Sequence, residues 1–159
     1  MDRQRRTPRP TTLSLPSRLV NDMVRLAELM GAPFQVELAV NLGEAIERQT
    51  DVDAPDLKAA ARALPADETA WERVRLWLPA AQSERLRELA KAKRLSQGKA
   101  LAALLAPVVD EHLQVATYAV ERQVSYLSAH QALADKAGIF PAAPVAPKAR
   151  RKAPRRKSA

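Results

Sequence analysis

The chain of 159 residues is long enough for one compact domain, or for two very small modules, together with tails. Its hydrophobic fraction of 47% includes only 4% aromatic residues, which favours helices packed through Ala, Leu and Val over a thick β-sandwich core. Cysteine is absent from the sequence, which excludes disulfides and any metal site or nucleophile built on a thiol.

The net charge of +8 is concentrated at the two ends of the chain. Residues 1–10 carry +3 and residues 148–159 carry +7, so the residues between them carry −2. Basic blocks of this kind usually stay disordered and bind polyanions, which favours nucleic acid as the partner over a role in solubility alone. We therefore predict a basic N-terminal arm over 1–9 and a disordered basic tail, rich in proline and alanine, over 139–159.

Neither a secretory signal nor a membrane span is predicted. The positive charges of MDRQRRTPRP are not followed by an apolar stretch. The longest apolar run, 100–109, is shorter than the roughly 20 residues that cross a bilayer. We expect a cytoplasmic protein with no membrane partner, located on the nucleoid or on a plasmid.

Residues 10–48 predict a short strand followed by two amphipathic helices. TTLSLP alternates between polar residues and leucine, and the residue before Pro16 is pushed towards extended backbone geometry. Apolar residues of the first helix then recur at helical spacing: Leu19, Met23, Leu26, Ala27 and Met30. Gly31 predicts the end of that helix. A second helix from about Pro33 turns four apolar residues inward: Phe34, Leu38, Leu42 and Ile46.

Residues 49–71 are predicted to be a linker. The segment DAPDLKAAARALPAD predicts a short helix bounded by Pro55 and Pro65. The linker's 23 residues can extend to more than about 70 Å, so its length allows the segments on either side to meet.

Residues 72–110 repeat the first pattern at an offset of 63 residues, without a gap. TTLSLP aligns with VRLWLP, and eight aligned positions are identical, nearly all where a core is needed. They include Leu101 and Leu105, which together with Val109 are expected to face inward in the second helix. Arg94 aligns with Gly31, where a positive φ would be costly for a side chain. The second helix is expected to begin after an N-cap at Ser96. It is expected to break near Ala106, because Pro107 removes a helical hydrogen bond.

The sequence from 108 to 137 reads as one long helix, which forms a C-terminal unit over 111–138. Four apolar residues recur in it every seven positions: Leu113, Val120, Leu127 and Ala134. Gly138 predicts its end. This helix is expected either to pack on the preceding domain or to associate with a second copy or another protein.

The alternating strand ending in Leu-Pro, the two helices and the turns MGAPF and RLSQG resemble the ribbon-helix-helix family, the β-ribbon DNA readers of the Arc and MetJ type. The resemblance covers 10–48 and 72–110, about half of the chain. It implies a mainly α protein with a short two-stranded antiparallel β-ribbon that enters the major groove. Two arrangements are open: the two copies pair within one chain as a pseudo-dimer, or each copy pairs with its twin in another chain.

The resemblance also implies which residues meet double-stranded DNA. Five side chains on the outer face of the ribbon are expected to contact bases: Thr12, Ser14, Arg73, Arg75 and Trp77. The starts of the two second helices are expected to bind phosphates, through Phe34, Gln35, Ser96, Gln97, Gly98 and Lys99. Six tail residues are expected to add affinity without sequence preference: Arg150, Arg151, Lys152, Arg155, Arg156 and Lys157. Because the two strands differ, we expect a non-palindromic site, with a guanine-containing half read by Arg73 and Arg75.

Residues that carry enzymatic chemistry are not apparent in the sequence. The only histidines, His112 and His130, lie eighteen residues apart and are predicted to be surface helix residues and not metal ligands. No cofactor or small-molecule substrate is expected. We expect a sequence-specific repressor of transcription or, like tandem members of the family, a relaxosome accessory protein of a conjugative plasmid. The alternatives are an antitoxin whose C-terminal helix binds a partner protein, and an architectural DNA-binding protein driven by its tail.

Overall fold

A two-stranded antiparallel sheet and six α-helices make up residues 10–137, the part of the chain described by the computed structural model. The strands are β1 (Pro10–Pro16) and β2 (Trp71–Trp77). The helices are α1 (Ser17–Met30), α2 (Phe34–Arg48), α3 (Leu57–Arg62), α4 (Ala80–Lys93), α5 (Gln97–Arg122) and α6 (Tyr126–Ala137). A 3₁₀ turn, Glu68–Ala70, precedes β2. The fold is therefore mainly helical with one short ribbon, as the sequence predicts.

The two strands, which are 54 residues apart in sequence, pair with each other within the chain. Their antiparallel register places Pro10 opposite Trp77, Thr12 opposite Arg75 and Pro16 opposite Trp71. A lone strand leaves its backbone N–H and C=O groups without partners, and this pairing provides them. Pro10 lies at the end of the ribbon, a position where a residue without an N–H group is tolerated.

The first helices of the two repeats end in the same backbone geometry. Gly31 follows α1 with φ of 64°, and the N–H of Ala32 donates to the Ala27 carbonyl at 3.0 Å. Arg94 follows α4 with φ of 55°, and the N–H of Leu95 donates to the Ala90 carbonyl at 2.9 Å. A left-handed arginine costs roughly 1–3 kcal/mol of strain, which the closing hydrogen bond and the packing of the half-buried Leu95 offset.

The core is shared between the two repeats. α1 packs on α5 and α4 packs on α2, so the first helix of each repeat contacts the second helix of the other. The inward positions that the sequence predicts in α2 and α5 are fully buried at Leu38, Leu42, Leu101 and Leu105. In α1, the predicted positions are buried except Met30, which is 40% exposed. Each fully buried leucine contributes about 1.5–3 kcal/mol, so neither repeat can keep this stabilisation without the other.

The linker contains the predicted short helix, α3. Asp56 caps it by accepting hydrogen bonds from the backbone N–H groups of Lys58 and Ala59, at 3.0 and 3.3 Å. Leu57 is buried, and α3 packs on α5. The linker ends one residue earlier than predicted, because Trp71 already belongs to β2 and its indole N–H donates to the Pro65 carbonyl at 2.9 Å.

The predicted break near Ala106 is wrong, since α5 runs without interruption through Pro107. Pro107 removes one intrahelical hydrogen bond, but it lies on the exposed side of the helix. The residues on either side of it, from Leu104 to Val109, supply buried side chains to the core. Tertiary packing on both sides of the proline therefore keeps the helix continuous.

The single helix predicted over 108–137 is also wrong. The helix ends at Gln123, which has φ of 52°, and the N–H of Val124 donates to the Ala119 carbonyl at 3.0 Å. α6 then folds back, and Ala129 packs against Val115 and Ala119 in a small second cluster. The apolar residues that recur every seven positions do not form the buried face of these helices, because Val120 and Leu127 are 55% and 76% exposed. The expected stop at Gly138 and the expected tail over 139–159 lie outside the described residues.

A partly buried ion pair joins positions that the 63-residue offset aligns. Nη2 of Arg48, the last residue of α2, lies 2.9 Å from Oε2 of Glu111 in α5, and the two residues are 63 apart in sequence. The same guanidinium contacts Oε1 of Glu44 at 2.7 Å. The two second helices therefore meet at equivalent residues of opposite charge.

None of the described helices is both long enough and apolar enough to cross a membrane.

Candidate nucleic-acid interface

The outer face of the ribbon brings together the five side chains that were expected to contact bases. Thr12, Ser14, Arg73, Arg75 and Trp77 are all exposed, whereas Leu15 and Leu76, on the opposite face, are buried. The alternation predicted from the sequence is therefore confirmed for both strands. The two arginines follow one another on the same strand, about 7 Å apart along it.

The register pairs each outward arginine with a hydroxyl-bearing residue. Arg75 lies opposite Thr12, its counterpart at the 63-residue offset, and Arg73 lies opposite Ser14. At the other end, Trp77 lies opposite Pro10. Moving along the ribbon, the outer face thus presents an apolar pair, then two pairs of arginine with a hydroxyl.

Trp77 contacts Arg75, and its side chain remains 39% exposed. The guanidinium carbon of Arg75 lies 5.9 Å from the centroid of the indole ring, within the range of a cation–π contact. At an exposed site such a contact contributes about 0.5–1 kcal/mol. The ring therefore lies beside the Arg75 guanidinium on the outer face of the ribbon.

The two second helices begin with different caps. Before α5, the Ser96 hydroxyl accepts a hydrogen bond from the Lys99 N–H at 3.2 Å, as predicted. Before α2, Pro33 supplies no side-chain cap, and its carbonyl accepts from the N–H groups of Val36 and Glu37 at 3.0 and 3.2 Å. Helix geometry leaves the first N–H groups of each helix, including those of Phe34, Gln35, Gln97 and Gly98, without intrahelical acceptors.

Gly98 brings the start of α5 directly against β1. It is buried, and a Cβ at this position would collide with the backbone carbonyl oxygen of Ser14. A glycine is required where one backbone approaches another this closely. The contact therefore fixes one helix start beside the outward hydroxyls of the ribbon.

A recess of about 630 Å³ lies at this corner of the fold. Expected base-contacting and phosphate-contacting residues border it together: Thr12, Ser14, Ser96, Gln97, Gly98 and Lys99. The rest of its lining is Leu13 of β1, the linker residues Pro65, Ala66 and Glu68, and Trp71 of β2. Phe34 and Gln35, at the start of α2, do not line this recess. The expected tail residues from Arg150 to Lys157 lie outside the described residues.

The sequence reading missed the two acidic residues beside this recess. Asp67 precedes the 3₁₀ turn, and one of its carboxylate oxygens accepts from the Thr69 N–H at 2.9 Å. This backbone hydrogen bond lowers the pKa of the Asp67 carboxyl. Glu68 lines the recess itself. The segment ADETA before β2 predicts this cap, because an aspartate commonly accepts a hydrogen bond from the backbone N–H two residues further along the chain.

The prediction that His112 and His130 are surface residues is wrong. His112 Nε2 lies 2.6 Å from Glu44 Oε2, and its Nδ1 lies 2.9 Å from the Tyr126 hydroxyl. His130 Nε2 lies 3.9 Å from Glu111 Oε1. The sequence did not predict the turn at Gln123, which folds α6 back and brings His130 towards Glu111 and Tyr126 against His112. The contact of His112 with Glu44 comes from the packing of α5 on α2.

This polar cluster ties α6 to the core and lies about 15 Å along α2 from its first turn. The hydrogen bond from His112 lowers the pKa of the Glu44 carboxyl, and Arg48 lowers it further. Burial, followed by the negative charges of Glu44 and Glu111, raises the pKa of the Tyr126 phenol. The Tyr126 hydroxyl and the His112 ring thus link α6 to Glu44 of α2 through one chain of polar contacts.

No protein-family model, curated protein or solved structure matches this chain at a significant level. Within residues 10–137, no group of three or more His, Cys, Asp and Glu side chains is arranged to hold a metal ion.

Replacing Gly98 by alanine is expected to destabilise the fold by about 1–3 kcal/mol, because the added methyl group overlaps the Ser14 carbonyl and the backbone must move. Urea denaturation monitored by circular dichroism measures the change. Gly43→Ala is the comparison, since its Cβ meets a side-chain atom and not backbone: Gln82 Nε2 at 3.2 Å, which donates to the Ala39 carbonyl at 2.8 Å. A Gly98→Ala protein as stable as the control would contradict the close approach of α5 to β1.

Replacing Glu44 by glutamine is expected to lower the free energy of unfolding at pH 7 by about 0.5–1.5 kcal/mol, since the carboxylate is only half-buried. The folded-state pKa of Glu44 is lowered, so its stabilisation is present above the unfolded-state pKa and is lost as pH falls through the folded-state pKa. The effect should therefore shrink at pH 3. Urea titrations at both pH values test this, with the exposed Glu47→Gln as control. An equal loss at both pH values would exclude an ionised Glu44 as the cause.

Proposed function

We propose that this protein is a sequence-specific double-stranded DNA-binding protein that reads the major groove with the ribbon of β1 and β2. The proposal rests on one observation above all: an exposed polar face carrying Arg73 and Arg75, formed by pairing two strands of one chain. The major groove is about 12 Å wide and admits a two-stranded ribbon. The buried leucines on the other face pack the ribbon against the helices and so fix its position on the domain.

The two repeats are proposed to be ribbon-helix-helix units that pair as an intrachain pseudo-dimer. In a two-fold interface, residue i contacts j and j contacts i. The strand register follows this rule at the 63-residue offset: Thr12 pairs with its own counterpart Arg75, and the pairs on either side exchange equivalent positions. The contact between Arg48 and Glu111, also 63 residues apart, gives a second point on the same axis.

Arginine is the side chain best suited to read guanine, because its guanidinium donates two parallel hydrogen bonds to O6 and N7. Each such contact discriminates against other bases by about 1–3 kcal/mol. Thr12 and Ser14 discriminate less, because a hydroxyl both donates and accepts. Trp77 provides an apolar surface that fits a thymine methyl group, in addition to its contact with Arg75.

The order of these groups along the ribbon revises the expected target. Arg75 lies at the centre of the pseudo-two-fold arrangement, so the proposed target has a guanine near its middle and not only in one half. A second guanine faces Arg73 on one side, and an apolar contact faces Trp77 on the other. Such a target is not palindromic.

Phosphate contacts are proposed at the starts of α5 and α2, where backbone N–H groups and the helix dipole attract anions. Ser96 to Lys99 and Phe34 to Gln35 occupy these positions. The basic tail would add affinity that does not depend on sequence. A promoter and a plasmid transfer origin are both asymmetric loci, on which this reader would act as a repressor or as a relaxosome accessory protein.

Replacing Arg75 by alanine is expected to abolish preference at one central base pair, a loss of roughly 5- to 150-fold in discrimination. Binding sites are first selected from random duplexes with the wild-type protein. Fluorescence anisotropy then compares the selected site with each single-base variant. Arg87→Ala removes an exposed arginine from α4 and serves as the charge-matched control. If Arg75→Ala weakened binding to all duplexes equally, the proposed reading by this residue would be wrong.

The intrachain pairing predicts one chain on one site. The free protein should sediment as a single chain of 17.5 kDa, and its complex with a selected duplex should contain one protein molecule. Analytical ultracentrifugation at micromolar concentration measures both. A dimer bound to two adjacent sites would instead support pairing of each repeat with its twin in another chain.

A further inference from the structure

We propose that Glu68 opposes the DNA backbone at one end of the ribbon and thereby gives the DNA-binding surface a fixed polarity. This inference rests on the proposed DNA-binding function and adds a specificity determinant from the linker. Glu68 lies in the 3₁₀ turn just before β2, outside the elements that carry the expected contacts.

Glu68 borders the recess between the ribbon and the start of α5. Its side chain is exposed and lines the same recess as Thr12, Ser14 and the first turn of α5. A ribbon inserted into the major groove with α5 directed at the backbone places a phosphate at this corner. Glu68 then faces the same phosphate as the N–H groups of α5 and repels it.

Glu68 is available for this role, whereas its neighbour is not. The Asp67 carboxylate is engaged by the Thr69 N–H. Among residues 10–137, no hydrogen bond or ion pair holds the Glu68 carboxylate. Its charge is therefore available to oppose an anion that enters the recess, an effect that is strongest at low salt.

The segments that lead into the two ends of the ribbon have opposite net charges in sequence. At the 63-residue offset, Glu68 aligns with Arg5 and Glu72 aligns with Arg9. The segment before β1 has four arginines and one aspartate, while residues 64–70 before β2 have two acids and no base. Because the strands are antiparallel, these two segments lead to opposite ends of the ribbon. In sequence, the segment that leads into the Pro10 end is basic and the segment that leads into the Trp71 end is acidic.

The consequence is that the protein binds its DNA target in one of the two possible directions. At the end with Pro10 and Trp77, the basic segment strengthens binding to any phosphate backbone. At the end with Ser14 and Arg73, repulsion by Glu68 weakens binding unless base contacts offset it. Binding at that end therefore depends more strongly on sequence, and the protein lies in one direction on its target.

The test is Glu68→Arg, which gives position 68 the residue type found 63 positions earlier, at Arg5. Asp53→Arg is the matched control, because it makes the same change of net charge at an exposed linker residue that does not line the recess. Both full-length variants and the wild type are titrated with a selected duplex at low and moderate salt. Hydroxyl-radical footprinting maps the backbone positions that each protein protects.

Glu68→Arg is expected to bind about 5- to 20-fold more tightly than the wild type at low salt, with a gain that falls as salt rises. Its footprint should extend at the Arg73 end only. Asp53→Arg should gain about two-fold and leave the footprint unchanged. Equal gains for the two variants, or an unchanged footprint in Glu68→Arg, would overturn the proposal and assign the effect to net charge.

Glu68→Gln distinguishes repulsion from base reading by the carboxylate. Removal of repulsion tightens binding to every duplex, whereas loss of a contact to a cytosine amino group weakens binding to one base only and overturns the proposal. Arg75→Ala is measured beside it. If the wild-type protein gives no footprint on any selected duplex, the proposed function fails together with this inference. If Arg75→Ala loses base discrimination and the gain in affinity of Glu68→Arg equals that of Asp53→Arg, this inference alone fails.

Discussion

The pairing of β1 with β2 is the constraint on which the rest of the structure depends. Neither strand can satisfy its backbone hydrogen bonds alone, and each is the only strand available to the other within residues 10–137. Once they pair, Leu15 and Leu76 must face the helices, because successive side chains of a strand point to opposite faces. The hydroxyls of Thr12 and Ser14 and the side chains of Arg73 and Arg75 must then lie on the outer face. One set of hydrogen bonds therefore creates both the foundation of the core and the proposed reading surface.

Placing both repeats in one chain allows equivalent positions to differ. In a dimer of identical chains, the residue at Arg48 would meet another arginine across the two-fold axis, and the residue at Arg75 would meet another arginine on the ribbon. Here Arg48 meets Glu111 at 2.9 Å, and Arg75 meets Thr12. A partly buried pair of like charges would be strongly destabilising, whereas opposite charges satisfy each other. The covalent linker thus permits an asymmetric interface that symmetry would forbid.

The linker is a structural element as well as a connection. Its helix α3 packs on α5 through the buried Leu57, and Trp71 fixes its end by donating to Pro65. The segment between them borders the recess beside the ribbon. Residues that join the repeats consequently form part of the proposed DNA-facing surface at one end. The segment that leads into the other end of the ribbon is rich in arginine in sequence. The proposed polarity of binding arises from this difference.

The sequence by itself determined the features that depend on local geometry: the alternation in WERVRLWLP, the inward helix positions such as Leu38 and Leu101, the linker helix between two prolines, and the Ser96 cap. These follow from strand and helix periodicity and from side chains that bond their own backbone. Only the tertiary structure decided that Pro107 leaves α5 continuous and that Gln123 ends it. Packing on both sides outweighs one lost hydrogen bond, and no glycine marks the turn. The partners of Arg48 and His112, and the place of Glu68 beside the first turn of α5, were equally hidden, because these residues lie on elements far apart in the chain that meet only when those elements pack.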